Sequence, residues 1–180
     1  MLNQEEQQKL LNICKQTVEE YIKNNNILDW QIDDQNLNAH MGAFVSIYNK
    51  KELRGCVGMI KPQKPLWQTI CDIAIAAATE DNRFISIQKD ELIDLTYEIN
   101  VLSVPKKINN WQDIILGIHG VIIKKGFRSG VFLPGVAADT GWGLEEFLSQ
   151  LCYQKADLPP DAYKNDPEVE ISIFTTQIIK

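Results

Sequence analysis

The sequence predicts an α+β fold in which an antiparallel sheet is flanked by helices, and three observations lead there. Segments with apolar residues at helical spacing are interspersed with runs of branched and aromatic residues. Two pairs of those runs are joined by short polar or glycine-bearing connections, the mark of antiparallel hairpins. The regular strand-helix-strand alternation of a doubly wound parallel sheet is absent.

Residues 5–24 place Leu10, Cys14, Val18 and Tyr21 or Ile22 on one helical face, with Asn3 and Glu6 spaced as a capping box. Asn24-Asn25-Asn26 ends that helix. Residues 42–48 and 53–60 read as strands joined through Asn49-Lys50-Lys51-Glu52, so they form a hairpin. Pro62 and Pro65 break the second strand. Residues 66–80 follow as a helix whose alanines, Ala74 and Ala76 to Ala78, permit close packing. In residues 96–104 Tyr97, Ile99 and Val101 alternate with Glu98, Asn100 and Leu102, and Pro105 stops the strand.

A loop or short helix surrounds Trp111. A second hairpin pairs 120–125 with 130–133 through Gly126-Phe127-Arg128-Ser129. Residues 144–155 carry Leu144, Phe147, Leu148, Leu151 and Cys152 at helical spacing, Pro159-Pro160 closes the segment, and 169–179 is the final strand. A chain of 180 residues fits one domain, 1–180, or two small intertwined lobes with a cleft at the 53–58 strand. It should bury about 70% of its unfolded surface without a disulfide or metal.

The four cysteines, Cys14, Cys56, Cys71 and Cys152, form no C-x-x-C pair and no zinc pattern. Reduced thiols, no export signal and no apolar run of about 18 residues lead to the expectation of a cytoplasmic protein without a membrane span. Lys and Arg number 18 against 24 Asp and Glu, a net charge of -6, which disfavours nucleic acid as a partner. Lys50-Lys51, Lys106-Lys107 and Lys124-Lys125 read as isolated pairs at solvated turns.

Leu53-Arg54-Gly55-Cys56-Val57-Gly58 is the stretch richest in chemistry. Alternation along a strand puts Arg54 and Cys56 on one face, and nearby positive charge favours thiolate, the nucleophilic form of cysteine. Gly55 and Gly58 leave the backbone open to a ligand or to a neighbouring segment. The alternative is a glycine-rich bend in a packed sheet with Cys56 as a small hydrophobe. His119, between Gly117 and Gly120, is a candidate acid, base or orienting group, or a residue that fills a turn. Glu80, Asp81 and Arg83 concentrate charge just after a helix, serving a polar ligand or capping and ion pairing. Trp142, between Gly141 and Gly143, is a lid, a partner contact or a packed hinge. Phosphate-cradling and serine-hydrolase motifs are absent, no metal set is present, and no cofactor can be named.

The hexapeptide resembles the signature of the AMMECR family. The similarity continues in order through Gly42-Ala43-Phe44-Val45, Ala76-Ala77-Ala78, Asp81-Asn82-Arg83-Phe84, Val101-Leu102-Ser103, His119-Gly120, Leu133-Pro134, Gly141-Trp142, Phe147-Leu148 and Leu158-Pro159-Pro160-Asp161-Ala162. Asn82, Ile85-Ser86 and Gly135 depart from the family pattern. The resemblance implies a two-lobed α+β fold with the signature strand near a cleft. It also implies partnership with Memo-like and radical S-adenosylmethionine proteins in a modification or maturation pathway. The function expected is that of an accessory or binding protein in such a pathway. The alternative is a cysteine-dependent enzyme in which Cys56 is the nucleophile or redox thiol, Arg54 supports it or holds an anionic substrate, and His119 assists.

Overall fold

Asn3 begins the first helix, α1 (Gln4–Asn24), by accepting from the Glu6 N–H at 3.0 Å, while the Glu6 carboxylate accepts from the Asn3 N–H at 2.7 Å. This is the capping box read from the sequence, seen in a computed structural model that describes residues 1–180. Asn25, left-handed with φ 52°, ends the helix. Strands β1 (Ala43–Asn49) and β2 (Glu52–Met59) form the first hairpin, then come α2 (Leu66–Thr79) and β3 (Leu95–Leu102). The β1–β2 connection is Lys50-Lys51, both at positive φ, 49° and 75°.

Two compact units divide the chain. The first comprises Met1–Leu102 with Gln177–Lys180, and the second, Ser103–Thr176, is inserted between them in sequence. The second holds β4 (Lys106–Ile108), β5 (Gly120–Lys125), β6 (Arg128–Phe132), α3 (Gly135–Thr140), α4 (Leu144–Gln150), α5 (Ala162–Asn165) and β7 (Glu170–Phe174). The last strand, β8 (Thr176–Ile179), completes the first unit's sheet.

That sheet runs β2-β1-β3-β8. Val45, Ile47 and Ile99 are fully buried, in one core with Leu10, Cys14 and Val18 of α1 and Ile70, Ala74 and Ala77 of α2. The start of the chain is tied to β8 by the Gln177 side chain, which accepts from the Leu2 N–H and donates to the Leu2 carbonyl, both at 2.8 Å. The second sheet runs β4-β7-β5-β6. Its core joins Val121 and Ile123 to Phe132, Phe147, Leu148, Leu151 and Cys152. The pairings β1–β2, β1–β3, β4–β7, β5–β6 and β5–β7 are all antiparallel, and no helix is long and apolar enough to cross a membrane.

Several elements differ from the sequence expectation. The strand expected over 169–179 is two strands, β7 and β8, which belong to different sheets. Lys106-Lys107 lies in β4 and Lys124-Lys125 ends β5, so only Lys50-Lys51 occupies a turn. β4 is a short edge strand, which carries lysine readily, whereas Lys124-Lys125 closes an interior strand next to the turn at Gly126. Residues 135–140, to which the sequence assigned no element, are helical as α3, and the helix expected over 144–155 is α-helical only to Gln150, with Leu151–Lys155 a π turn. Leu102, expected on the polar side of its strand, is 1% exposed.

The Tyr97 hydroxyl is buried without a hydrogen-bond partner, and burial pushes its pKa up. Tyr97→Phe is therefore expected to leave the unfolding free energy unchanged or raise it by up to about 1 kcal/mol. Denaturant melts check this, and a loss of more than about 1 kcal/mol would mean that the hydroxyl is satisfied after all.

Candidate functional site

The hexapeptide lies on β2, the edge strand of the first sheet. A strand at an edge presents unpaired backbone groups, which proteins cover to prevent unwanted pairing. Here the cover is a pair of side chains from the turn after α2. The Cys56 N–H donates to Asp81 Oδ2 at 2.8 Å, and the Cys56 carbonyl accepts from Arg83 Nη2 at 3.2 Å. Arg83 in turn grips Asp81 with both Nε and Nη2, at 2.9 and 2.7 Å. The carboxylate offers Cys56 an acceptor and the guanidinium offers a donor, as a neighbouring strand would.

Asp81 is the sheltered member of this clamp, with a side chain 6% exposed against 55% for Arg83. Hydrogen bonds from the Arg83 guanidinium hold the Asp81 carboxyl well below the usual carboxylate range, aided by the N–H groups of Cys56 and Arg83. Arg83 also lies over the Phe84 ring, 5.3 Å from its centroid. Glu80 is exposed and caps α2 only through its backbone N–H, bonded to the Ala76 carbonyl at 2.8 Å.

Arg54 is placed differently from the simple alternation argument. The β1–β2 register slips between Ile47, opposite Gly55, and Tyr48, opposite Leu53, so Arg54 has no partner across the ladder. A bulge of this kind re-aims the side chain at the extra residue. The Arg54 guanidinium grips Glu91, Nε to Oε1 at 2.7 Å and Nη2 to Oε2 at 2.9 Å. Glu91 also accepts from the Gln88 N–H at 2.8 Å and the Asn49 side chain at 3.4 Å. Its carboxyl is held down at about 2, chiefly by the Arg54 hydrogen bonds.

Arg54 is thus turned to Glu91, and it is the Arg83 guanidinium that lies close enough to interact with the Cys56 thiol. The Cys56 sulfur accepts from Ser46 Oγ at 3.3 Å, across the hairpin. All four cysteines are free; Cys14, Cys71 and Cys152 are buried and Cys56 is half-buried.

The two glycines flanking Cys56 are used by the protein itself. A Cβ on Gly55 would stand 1.9 Å from the Ala77 carbonyl oxygen, so α2 can lie on β2 only because that atom is missing. A Cβ on Gly58 would meet the Phe44 ring at 2.1 Å. The close approach that glycine permits comes from a neighbouring segment at both positions.

The two remaining candidates lie in the second unit. His119 closes a turn, its Nδ1 accepting from the Ile115 N–H at 3.1 Å and its N–H donating to the Ile115 carbonyl at 2.9 Å. Trp142 packs on the second core, 6.1 Å from the Phe132 ring. No group of three or more His, Cys, Asp or Glu side chains is arranged to hold a metal ion.

Residues 11–179 match the model of the AMMECR1 family. The chain belongs to that family. A Nanoarchaeum equitans protein is 42% identical over 162 residues, covering 84% of this chain and 89% of that protein. A Methanothermobacter thermautotrophicus protein is 35% identical, covering 98% and 95%. The crystal structure of an uncharacterized Pyrococcus horikoshii protein superposes with a TM-score of 0.82 at 33% identity, covering 94% of this chain and 88% of that one. This AMMECR1 chain thus shares both sequence and fold with archaeal relatives over almost its full length.

Sequence reasoning missed Glu91 and Ser46. Glu91 stands 37 positions from Arg54, and nothing local announces that pairing. Ser46 carries a faint signal, a small hydroxyl among the branched and aromatic residues of β1.

Proposed function

We propose that this AMMECR1 chain is a non-catalytic binding component of a multi-protein modification or maturation pathway, and that it docks its partner on the side of β2 covered by the Asp81–Arg83 clamp. One observation supports this reading above the others: the charged groups around the signature strand are engaged with one another and with its backbone, which suits a rigid recognition surface better than a poised reaction centre. Exposed apolar side chains lie nearby in sequence on both sides, Met59 three residues beyond Cys56 and Ile85 two beyond Arg83, 41% and 83% exposed. Apolar residues beside a polar, ordered rim are the composition of a protein interface. The partners to test are the Memo-like and radical S-adenosylmethionine proteins that the family resemblance suggests.

The test is surface-immobilised binding of each partner to the full chain and to Met59→Glu and Ile85→Glu, which leave the clamp intact. Wild type should bind one of them at micromolar strength, with each variant weakened at least about tenfold. Failure of both partners to bind, or variants that bind as wild type does, would sink the proposal.

A second reading rests on Cys56 being the one cysteine that is not buried. As a nucleophile, Cys56 should react with iodoacetamide in the folded protein faster than a free model thiol. A rate at or below the free thiol excludes that role.

A further inference from the structure

A cavity of about 580 Å³ opens in the first unit beside the Lys50-Lys51 turn. Its volume falls within the range of small-molecule sites. The wall is apolar, formed by Leu11 of α1 and the rings of Tyr48 on β1 and Tyr97 on β3. The remaining lining is strongly biased in charge: Lys15, Lys51 and Lys180 against the single carboxylate Glu98.

The pairing of those groups leaves positive charge over. Lys180 neutralises Glu98 at 2.8 Å, and Lys15 has only Glu19, at 3.9 Å. Lys50 in the turn is answered by Asp94 at 3.2 Å, whereas Lys51 has no ion-pair partner. On a chain of net charge -6, such a local excess favours an anion.

Lys51 also occupies unfavourable backbone. At φ 75° it lies in the left-handed region, where a two-residue hairpin turn ordinarily takes glycine or asparagine. A lysine held there costs stability that glycine would recover, and strain of that sort accompanies functional positions.

We propose that this cavity binds an amphipathic monoanion, a carboxylate with an apolar tail, its head toward Lys51 and its tail against Tyr48 and Tyr97. The site is separate from the β2 surface, and its occupancy does not depend on partner docking.

Calorimetric titration of the full chain with decanoate, 1-decanol and acetate tests it. Decanoate should bind saturably at one molecule per chain, with the alcohol and acetate each weaker by at least about tenfold. Lys51→Gln should weaken decanoate by at least about tenfold. Lys51→Gly should lose binding in the same way while raising Tm by about 2–4 °C as the turn relaxes. Met59→Glu should bind decanoate as wild type does, which separates this site from the proposed docking surface. Equal affinity for decanoate and decanol, unchanged binding by Lys51→Gln, or no saturable decanoate binding overturns the proposal.

Discussion

Gly55→Ala should unfold about 6–12 °C below the parent chain, the equivalent of about 3 kcal/mol. The added methyl would stand 1.9 Å from the Ala77 carbonyl oxygen, so relief requires α2 and β2 to separate rather than a side chain to turn. Overpacking against backbone is the costly kind, because the load is shared by every contact the helix makes with the sheet. Gly58→Ala offers the comparison. Its methyl meets the Phe44 ring, a side chain that has some freedom to move, and should cost only about 1 kcal/mol. Because Asp81 lies just past the end of α2 (Leu66–Thr79), a displaced helix also loosens the clamp on Cys56. Hydrogen exchange at the Cys56 amide should accelerate in Gly55→Ala. Thermal melts of the two variants decide the matter; a Gly55→Ala chain within about 1 kcal/mol of wild type would refute such tight packing.

Asp81→Ala is the second large effect expected, a loss of about 2–3 kcal/mol. The substitution strips the Cys56 N–H of its acceptor and leaves Arg83 without its carboxylate. Arg83 is more than half exposed, so water compensates much of its loss, and the larger share comes from the sheltered Asp81–Cys56 bond. The sign of the pH dependence follows from the lowered carboxyls. Asp81 and Glu91 both titrate below their ordinary values of 3.8 and 4.5 when folded. Their contributions are thus complete above those values and fade as pH falls, Glu91's through about 2 and Asp81's downward from 3.8. Wild type should consequently lose more stability than Asp81→Ala on acidification from neutral pH. Superimposable acid profiles would show that Asp81 is not the group held down.

Much of the fold was legible along the chain. The capping box at Asn3 and Glu6, the helical spacing from Leu10 to Val18, the alternation of Tyr97, Ile99 and Val101, and the prolines after β2 are local signals, and each reflects interactions within a few residues. The split of the last strand was not legible. Residues on both sides of Thr175 have the composition of one strand, and only the existence of two sheets requires the chain to change partners there.

The candidate site divides the same way. Alternation and a two-residue turn at Lys50-Lys51 place Gly55 opposite Ser46 by simple counting, whereas the bulge at Arg54 brings Cys56 opposite Ser46 instead. A single inserted residue has no signature that composition reveals, since its cost is recovered through distant groups, here Glu91.

By itself the sequence determined the element types, the family, and the presence of Cys56, Asp81 and Arg83 as residues worth watching, because propensity, periodicity and motif are properties of neighbours in the chain. Tertiary structure alone decided that Arg54 serves Glu91, that Asp81 and Arg83 clamp the Cys56 backbone, and that lysines gather around an apolar cavity. Those pairings join segments tens of residues apart, and their partners are selected by sheet register and charge compensation at close range, quantities that exist only once the chain has folded.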